Sequence, residues 1–193
     1  MRTPATRTCW PVGSPVSPIN LGISGNRVLG GGDTGISSLG PPLVARLGTD
    51  LLARSDVTDV ILFEGINDLG QDPDVDAADV VDGLVDVAER MRAARPGLRV
   101  HAATLTPAGG AARALAPYAL READRQAVNA AIRAGAVSEH VIDFDAAVRD
   151  PDDPSRIAAP FDGGDGLHFS AEGHAALADA VDPGAFVGRP CMP

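Results

Sequence analysis

The run Val57-Thr58-Asp59-Val60-Ile61-Leu62-Phe63 stops at Glu64-Gly65, and an amphipathic stretch over 77–95 follows it. The run is short, apolar and rich in β-branched residues, which suits a buried strand. In 77–95, Ala78, Val81, Leu84, Val85, Ala88 and Met91 fall on one helical face, and Pro96-Gly97 ends the helix. The pattern then repeats. Residues 98–104 read as a strand, Pro107-Ala108-Gly109-Gly110 as a loop, and 117–135 as a helix with Ala123, Ala127, Val128 and Ile132 on its apolar side. Val141-Ile142-Asp143-Phe144 reads as a short strand, and Ser170 is placed to cap a last helix over 172–181. Upstream, Ile19-Asn20-Leu21-Gly22 reads as a strand end and 41–54 as a helix. Strand and helix that alternate in this way predict an α/β fold, a parallel sheet with helices on both faces. In such folds a site forms at the carboxyl ends of the strands.

Composition narrows the partners. The 193 residues carry a net charge of -10, and all sixteen basic residues are arginine. No basic cluster exists to hold nucleic acid or an anionic membrane. No apolar run reaches the ~18 residues of a membrane helix. Residues 1–18 contain Pro4, Pro11, Pro15 and Pro18 and lack a continuous apolar core, so no signal peptide is read there and location is left open. Cys9 and Cys191 stand near opposite ends and make neither a disulfide framework nor a metal signature. Nothing in the chain sets an oligomeric state.

Three segments carry chemistry. Asn20-Leu21-Gly22-Ile23-Ser24-Gly25-Asn26-Arg27-Val28-Leu29 places Gly25 at a turn. A glycine there lets a backbone N–H approach a ligand, or serves turn geometry alone. Gly65-Ile66-Asn67-Asp68 follows the best strand, in a segment read as a loop. Asn67 can aim its amide at a developing oxyanion while Asp68 braces the loop, although Asn and Asp also favour ordinary turns. Asp165-Gly166-Leu167-His168 sets a carboxylate three residues before an imidazole. A hydrolytic triad needs that pair, the carboxylate orienting Nδ1 while Nε2 takes the nucleophile's proton. The alternative is a capping Asp beside an incidental His. His168 and His174 do not form a recognised metal spacing. His101 reads as a structural residue within a strand and His140 as one in a loop.

In this order within an α/β pattern, the segments Asn20 to Leu29, Glu64 to Asp68 and Asp165 to His168 resemble blocks of the SGNH, or GDSL-like, hydrolase family. The resemblance covers about 16–185. It leaves 1–15 as an irregular segment and 186–193 as a tail. Leu105-Thr106-Pro107, Asp143-Phe144-Asp145 and Asp150-Pro151 look like its arylesterase and carbohydrate-esterase branch. The resemblance implies a flavodoxin-like three-layer α/β/α sandwich of strand order 2-1-3-4-5. It implies an esterase for small-molecule esters, with no metal and no cofactor. His168 would be the base, Asp165 its orienting carboxylate, and Gly25 and Asn67 the oxyanion donors. Phe169 replaces a proline common in relatives.

The large departure is the nucleophile. No Gly-Asp-Ser occurs, and the near miss Gly32-Asp33-Thr34 follows the second block rather than a first strand. Thr6, Thr8, Cys9, Ser14 and Ser17 stand too close to Asn20 for a strand and a crossover of a dozen residues to intervene. Ser24 adjoins the proposed oxyanion glycine. The expectation is therefore a fold whose first strand is missing. The chain would be a truncated or mis-started esterase product, impaired as written, or else an inactive module that binds a carbohydrate or acylated ligand.

Overall fold

The computed structural model describes residues 17–30, 40–111 and 120–186. Its sheet has three parallel strands, β1 (Asp59–Leu62), β2 (Arg99–Ala103) and β3 (His140–Ile142), in the order β1-β2-β3. Asp59 lies opposite Arg99, and His101 opposite His140. Each strand alternates its side chains across the sheet. Val60, Leu62, Val100 and Ala102 join the core on one side. Ile61, Phe63, Ala103 and Ile142 join the core on the other.

The helices divide in the same way. The first core takes α1 (Leu43–Leu47), α3 (Ala77–Ala94) and α4 (Glu122–Arg133) through Leu43, Leu47, Val80, Leu84, Val87, Val128 and Ile132. The second takes α5 (Phe144–Val148) and α6 (Ala171–Asp179) through Phe144, Val148 and Leu177. The result is the three-layer α/β/α arrangement expected from the alternation. A short helix, α2 (Ile66–Gln71), sits at the carboxyl end of β1.

The helix expected over 77–95 forms as α3 and stops before Pro96-Gly97, and its N-terminal cap was not singled out from the sequence. Asp76 accepts hydrogen bonds from the backbone of Ala78 and Asp79, and Asp79 reaches back to Asp76 N–H in a reciprocal cap. Ser170 Oγ accepts from Gly173 N at 3.0 Å and starts α6.

Several elements differ from the reading. Ile19 to Gly22 is irregular chain, not a strand end. Asn20 Oδ1 takes the Gly22 N–H at 2.9 Å, a local bond that competes with a sheet ladder. The expected helix over 41–54 is α-helical only through Leu47 and continues as a π-turn over Gly48–Leu52. β3 ends at Ile142 because the Asp143 side chain accepts from Ala146 N and caps α5, which turns Phe144 from strand to helix. His140 is the first residue of β3 and not a loop residue. Of the helix expected over 117–135, the described part runs Glu122–Arg133. Gly32-Asp33-Thr34, Thr6, Thr8, Cys9, Ser14 and Cys191 lie outside the described residues.

Candidate active site

The 163–169 segment builds the candidate base from local chemistry. Asp165 Oδ1 accepts the backbone N–H groups of Leu167 at 3.0 Å and His168 at 2.8 Å. Its other oxygen lies 2.6 Å from His168 Nδ1. Burial works to raise the Asp165 carboxyl, but the His168 backbone and ring and the Leu167 backbone outweigh it and hold the group at about 2. The carboxylate therefore stays ionised and fixes the ring through Nδ1–H. Among the described residues Nε2 has no partner, and the imidazole is 65% exposed. It stands open to accept a proton.

This segment is seated by a close backbone approach. A Cβ on Gly166 would fall 2.5 Å from Gly110 Cα and 2.9 Å from Ala111 N. Glycine at both positions lets the loop after β2 touch the histidine loop directly. Leu167 and Ile66 pack on the same small pair of buried residues, Ala108 and Ala111. The residue before His168 and the residue before Asn67 thus share one apolar patch beyond the carboxyl ends of the strands.

Asn67 lies in the first turn of α2, a correction to its placement in a loop. Gly65, at φ 118°, turns the chain from β1 into this helix, and a Cβ there would meet Val80 Cγ1 at 2.8 Å. Only glycine satisfies both the backbone and the space. Asn67 Nδ2 donates to Asn26 O at 3.0 Å, and its Oδ1 accepts from Gln71 Nε2 at 3.1 Å. Asp68, fully buried, accepts Val28 N and Leu29 N at 2.9 Å each. The expected bracing role of Asp68 is therefore concrete, because one carboxylate satisfies two backbone donors about 40 residues away. Burial pushes its carboxyl up, against the pull of those N–H groups and of Arg27.

Gly25 lies in the turn closed by Asn26 N to Ile23 O, 3.0 Å. Its carbonyl accepts from Gln71 Nε2 at 3.4 Å, and among the described residues its N–H meets no acceptor. Arg46 fastens this turn from behind, donating to Asn26 Oδ1 and to Leu21 O. It also reaches Glu64 at 3.4 Å. Burial raises the Glu64 carboxyl to about 7, Arg46 opposing and the Asp68 carboxylate adding to the rise. Ser24 is exposed beside Gly25, and Ser17 is exposed further back.

The four residues singled out from the sequence thus form two groups at one end of the sheet. Asp165 and His168 bond to each other, and Asn67 and Gly25 are joined through Asn26 and Gln71. Among the described residues no hydrogen bond links the two groups directly. Sequence reasoning missed Gln71, Arg46 and Gly110. Gln71 stands four residues after Asn67, a spacing that carries meaning only once 66–71 is known to be helical.

The fold has close counterparts. A Streptococcus pneumonia protein, provisionally described as a platelet activating factor, superposes with TM-score 0.64 at 20% identity, over 84% of this chain and 69% of its own. A GDSL-like lipase from Bacteroides thetaiotaomicron VPI-5482 gives 0.57 at 19% identity, over 71% and 65%. The lipase/acylhydrolase from Enterococcus faecalis gives 0.51 at 22% identity, over 71% and 65%. This chain therefore spans about two thirds of the length of these solved proteins. Among curated proteins none matches it. The pattern of the GDSL-like lipase/acylhydrolase family, however, matches residues 5–176, so the chain belongs to that family.

Proposed function

We propose that the chain carries the proton-transfer and oxyanion halves of a serine-type ester hydrolase that acts on small acyl or carbohydrate esters. The observation that carries this reading is the 2.6 Å contact of Asp165 with His168 Nδ1, which leaves Nε2 exposed and unpartnered among the described residues.

The chemistry follows from the groups. His168 Nε2 takes the proton of an attacking hydroxyl while Asp165 steadies the imidazolium that forms. The ester carbonyl becomes a tetrahedral oxyanion, which receives the Gly25 N–H and the remaining Asn67 Nδ2 hydrogen. Each such donor contributes ~10²–10³ in rate. The attacking oxygen keeps the acyl group as the ester C–O bond breaks and His168 gives its proton to the leaving oxygen. A water deprotonated by His168 then adds to the acyl carbon and releases the acid and the original hydroxyl. Asp165 remains a carboxylate throughout. No step calls on a metal or cofactor.

The nucleophile limits the reading. The sequence contains no Gly-Asp-Ser, and Ser24 belongs to the turn that presents Gly25. We therefore expect this chain to be impaired as written. The same fact favours a second reading, a module that binds a carbohydrate or acylated ligand without turning it over.

Hydrolysis of p-nitrophenyl acetate by the chain and by His168→Ala separates the two. A clear loss on substitution supports the esterase and removes the binding-module reading. Equal background rates refute a working triad, and retained glycan binding without turnover then selects the second reading.

A further inference from the structure

We propose that Gln71 is a positioning residue that sets which face of the Asn67 amide meets the oxyanion and ties the Gly25 turn to the same helix. The proposal rests on the reading of Asn67 and Gly25 as oxyanion donors.

A carboxamide presents an oxygen and an NH2 of nearly equal shape, and its surroundings decide which points where. At Asn67 two bonds decide. Gln71 Nε2, one turn along α2, donates to Asn67 Oδ1 at 3.1 Å. Asn67 Nδ2 spends one hydrogen on Asn26 O at 3.0 Å. The second hydrogen has no acceptor among the described residues, and it is the one left for an oxyanion. A flipped amide would set NH2 against NH2 at Gln71 and oxygen against oxygen at Asn26. It would also offer a carbonyl where negative charge develops. The Asn26 contact alone would leave the amide held from one side.

Gln71 acts a second time. Its Nε2 also reaches Gly25 O at 3.4 Å, so the backbone whose N–H is the other donor hangs from the same nitrogen. Asn67 and Gly25 are 42 residues apart in the chain and come from different segments. Among the described residues the Gln71 side chain contacts both. Its own position is fixed in turn by helix α2, which the buried Asp68 clamps to Val28 and Leu29.

The test compares Gln71→Met, which keeps length but removes the donors, with Gln71→Glu, which puts an acceptor opposite Asn67 Oδ1. Where the chain shows His168-dependent hydrolysis of p-nitrophenyl acetate, Gln71→Met is expected to lower that kcat about tenfold with KM unchanged, less than the ~10²–10³ of Asn67→Ala. Gln71→Glu should be the worse of the two, because it favours the flipped amide. Adding Gln71→Met to Asn67→Ala should cost little more, since both act through one donor. Full kcat in Gln71→Met beside an impaired Asn67→Ala overturns the proposal and leaves the oxyanion reading intact. Unchanged hydrolysis in Asn67→Ala defeats the oxyanion reading instead.

A measurement without turnover covers that second case. The Asn67 side-chain ¹⁵N–¹H₂ pair should give two well-separated proton resonances in the native chain. In Gln71→Met these should draw together while the backbone spectrum stays dispersed. An unaltered pair in a folded Gln71→Met protein overturns the positioning role whatever the activity.

Discussion

The two halves of the proposed site are built in opposite ways. The base half is local, with Asp165, Leu167 and His168 bonded across three residues at an exposed turn. The oxyanion half is long-range, with Asn67, Asp68 and Gln71 holding partners about 40 residues away at buried or half-buried positions. A local turn keeps its internal geometry wherever the chain around it goes. A long-range corner exists only when the fold is complete. Damage to the fold should therefore undo the Asn67–Gly25 corner before it disturbs the carboxylate–imidazole pair.

The largest expected effect probes the corner. Asp68→Ala leaves the buried Val28 N–H and the half-buried Leu29 N–H without an acceptor, which should cost about 4 kcal/mol in urea unfolding. A loss below about 1 kcal/mol would break the contrast.

The pH dependence of the halves should have opposite sign. Glu64, behind the corner, is raised from an ordinary 4.5 to about 7. The folded state thus binds its proton more tightly than the unfolded state does. Stability from this group is complete below 4.5 and falls as pH rises through 7, by about 3 kcal/mol as an order of magnitude. Asp165 is lowered from 3.8 to about 2, so its contribution is present above 3.8 and fades as pH falls towards 2. Unfolding free energy measured from pH 4 to 8 should decline, and Glu64→Gln should flatten that decline while Asp165→Asn leaves it in place.

A smaller effect concerns how the local half is seated. Gly166→Ala forces a Cβ against Gly110 backbone at 2.5 Å, in a left-handed backbone region at φ 76°, and should cost about 2 kcal/mol. Calorimetry of the variant checks it. Ser170→Ala removes the α6 cap just beyond His168 and should cost about 1 kcal/mol by the same measurement. The smallest change is Asp165→Asn, at most about 1 kcal/mol in stability, since the pair is exposed to solvent. On the proposed reading its effect belongs to hydrolysis, where the ring loses its orienting charge.

The same contrast explains what could be read from the chain. Asp165, His168 and the Ser170 cap depend on neighbours within three residues, and their spacing announces them. The end of α3 follows from Pro96-Gly97, whereas its Asp76 cap emerged only with the structure. The strands of Leu62 and Val100 show as apolar runs because both faces of the sheet are covered. The failures lie where a distant or competing bond decides. Asn20 bonds its own turn rather than a sheet, and Asp143 caps a helix where an apolar run suggested more strand. Gln71 has no signature at all, since its meaning comes from Gly25 and Asn67 meeting in space.

One consequence of the two cores on opposite faces of the sheet concerns the slow breathing of the native state. The His168 loop runs directly into α6, which belongs to the layer of Phe144, Val148 and Leu177. The Asn67 helix leans on the layer of Val80, Leu84 and Val128. Units that bury separate apolar clusters can open separately. Native-state hydrogen exchange should then sort the amides of α6 and those of α3 and α4 onto different isotherms. The two halves would be in register only while both layers are shut.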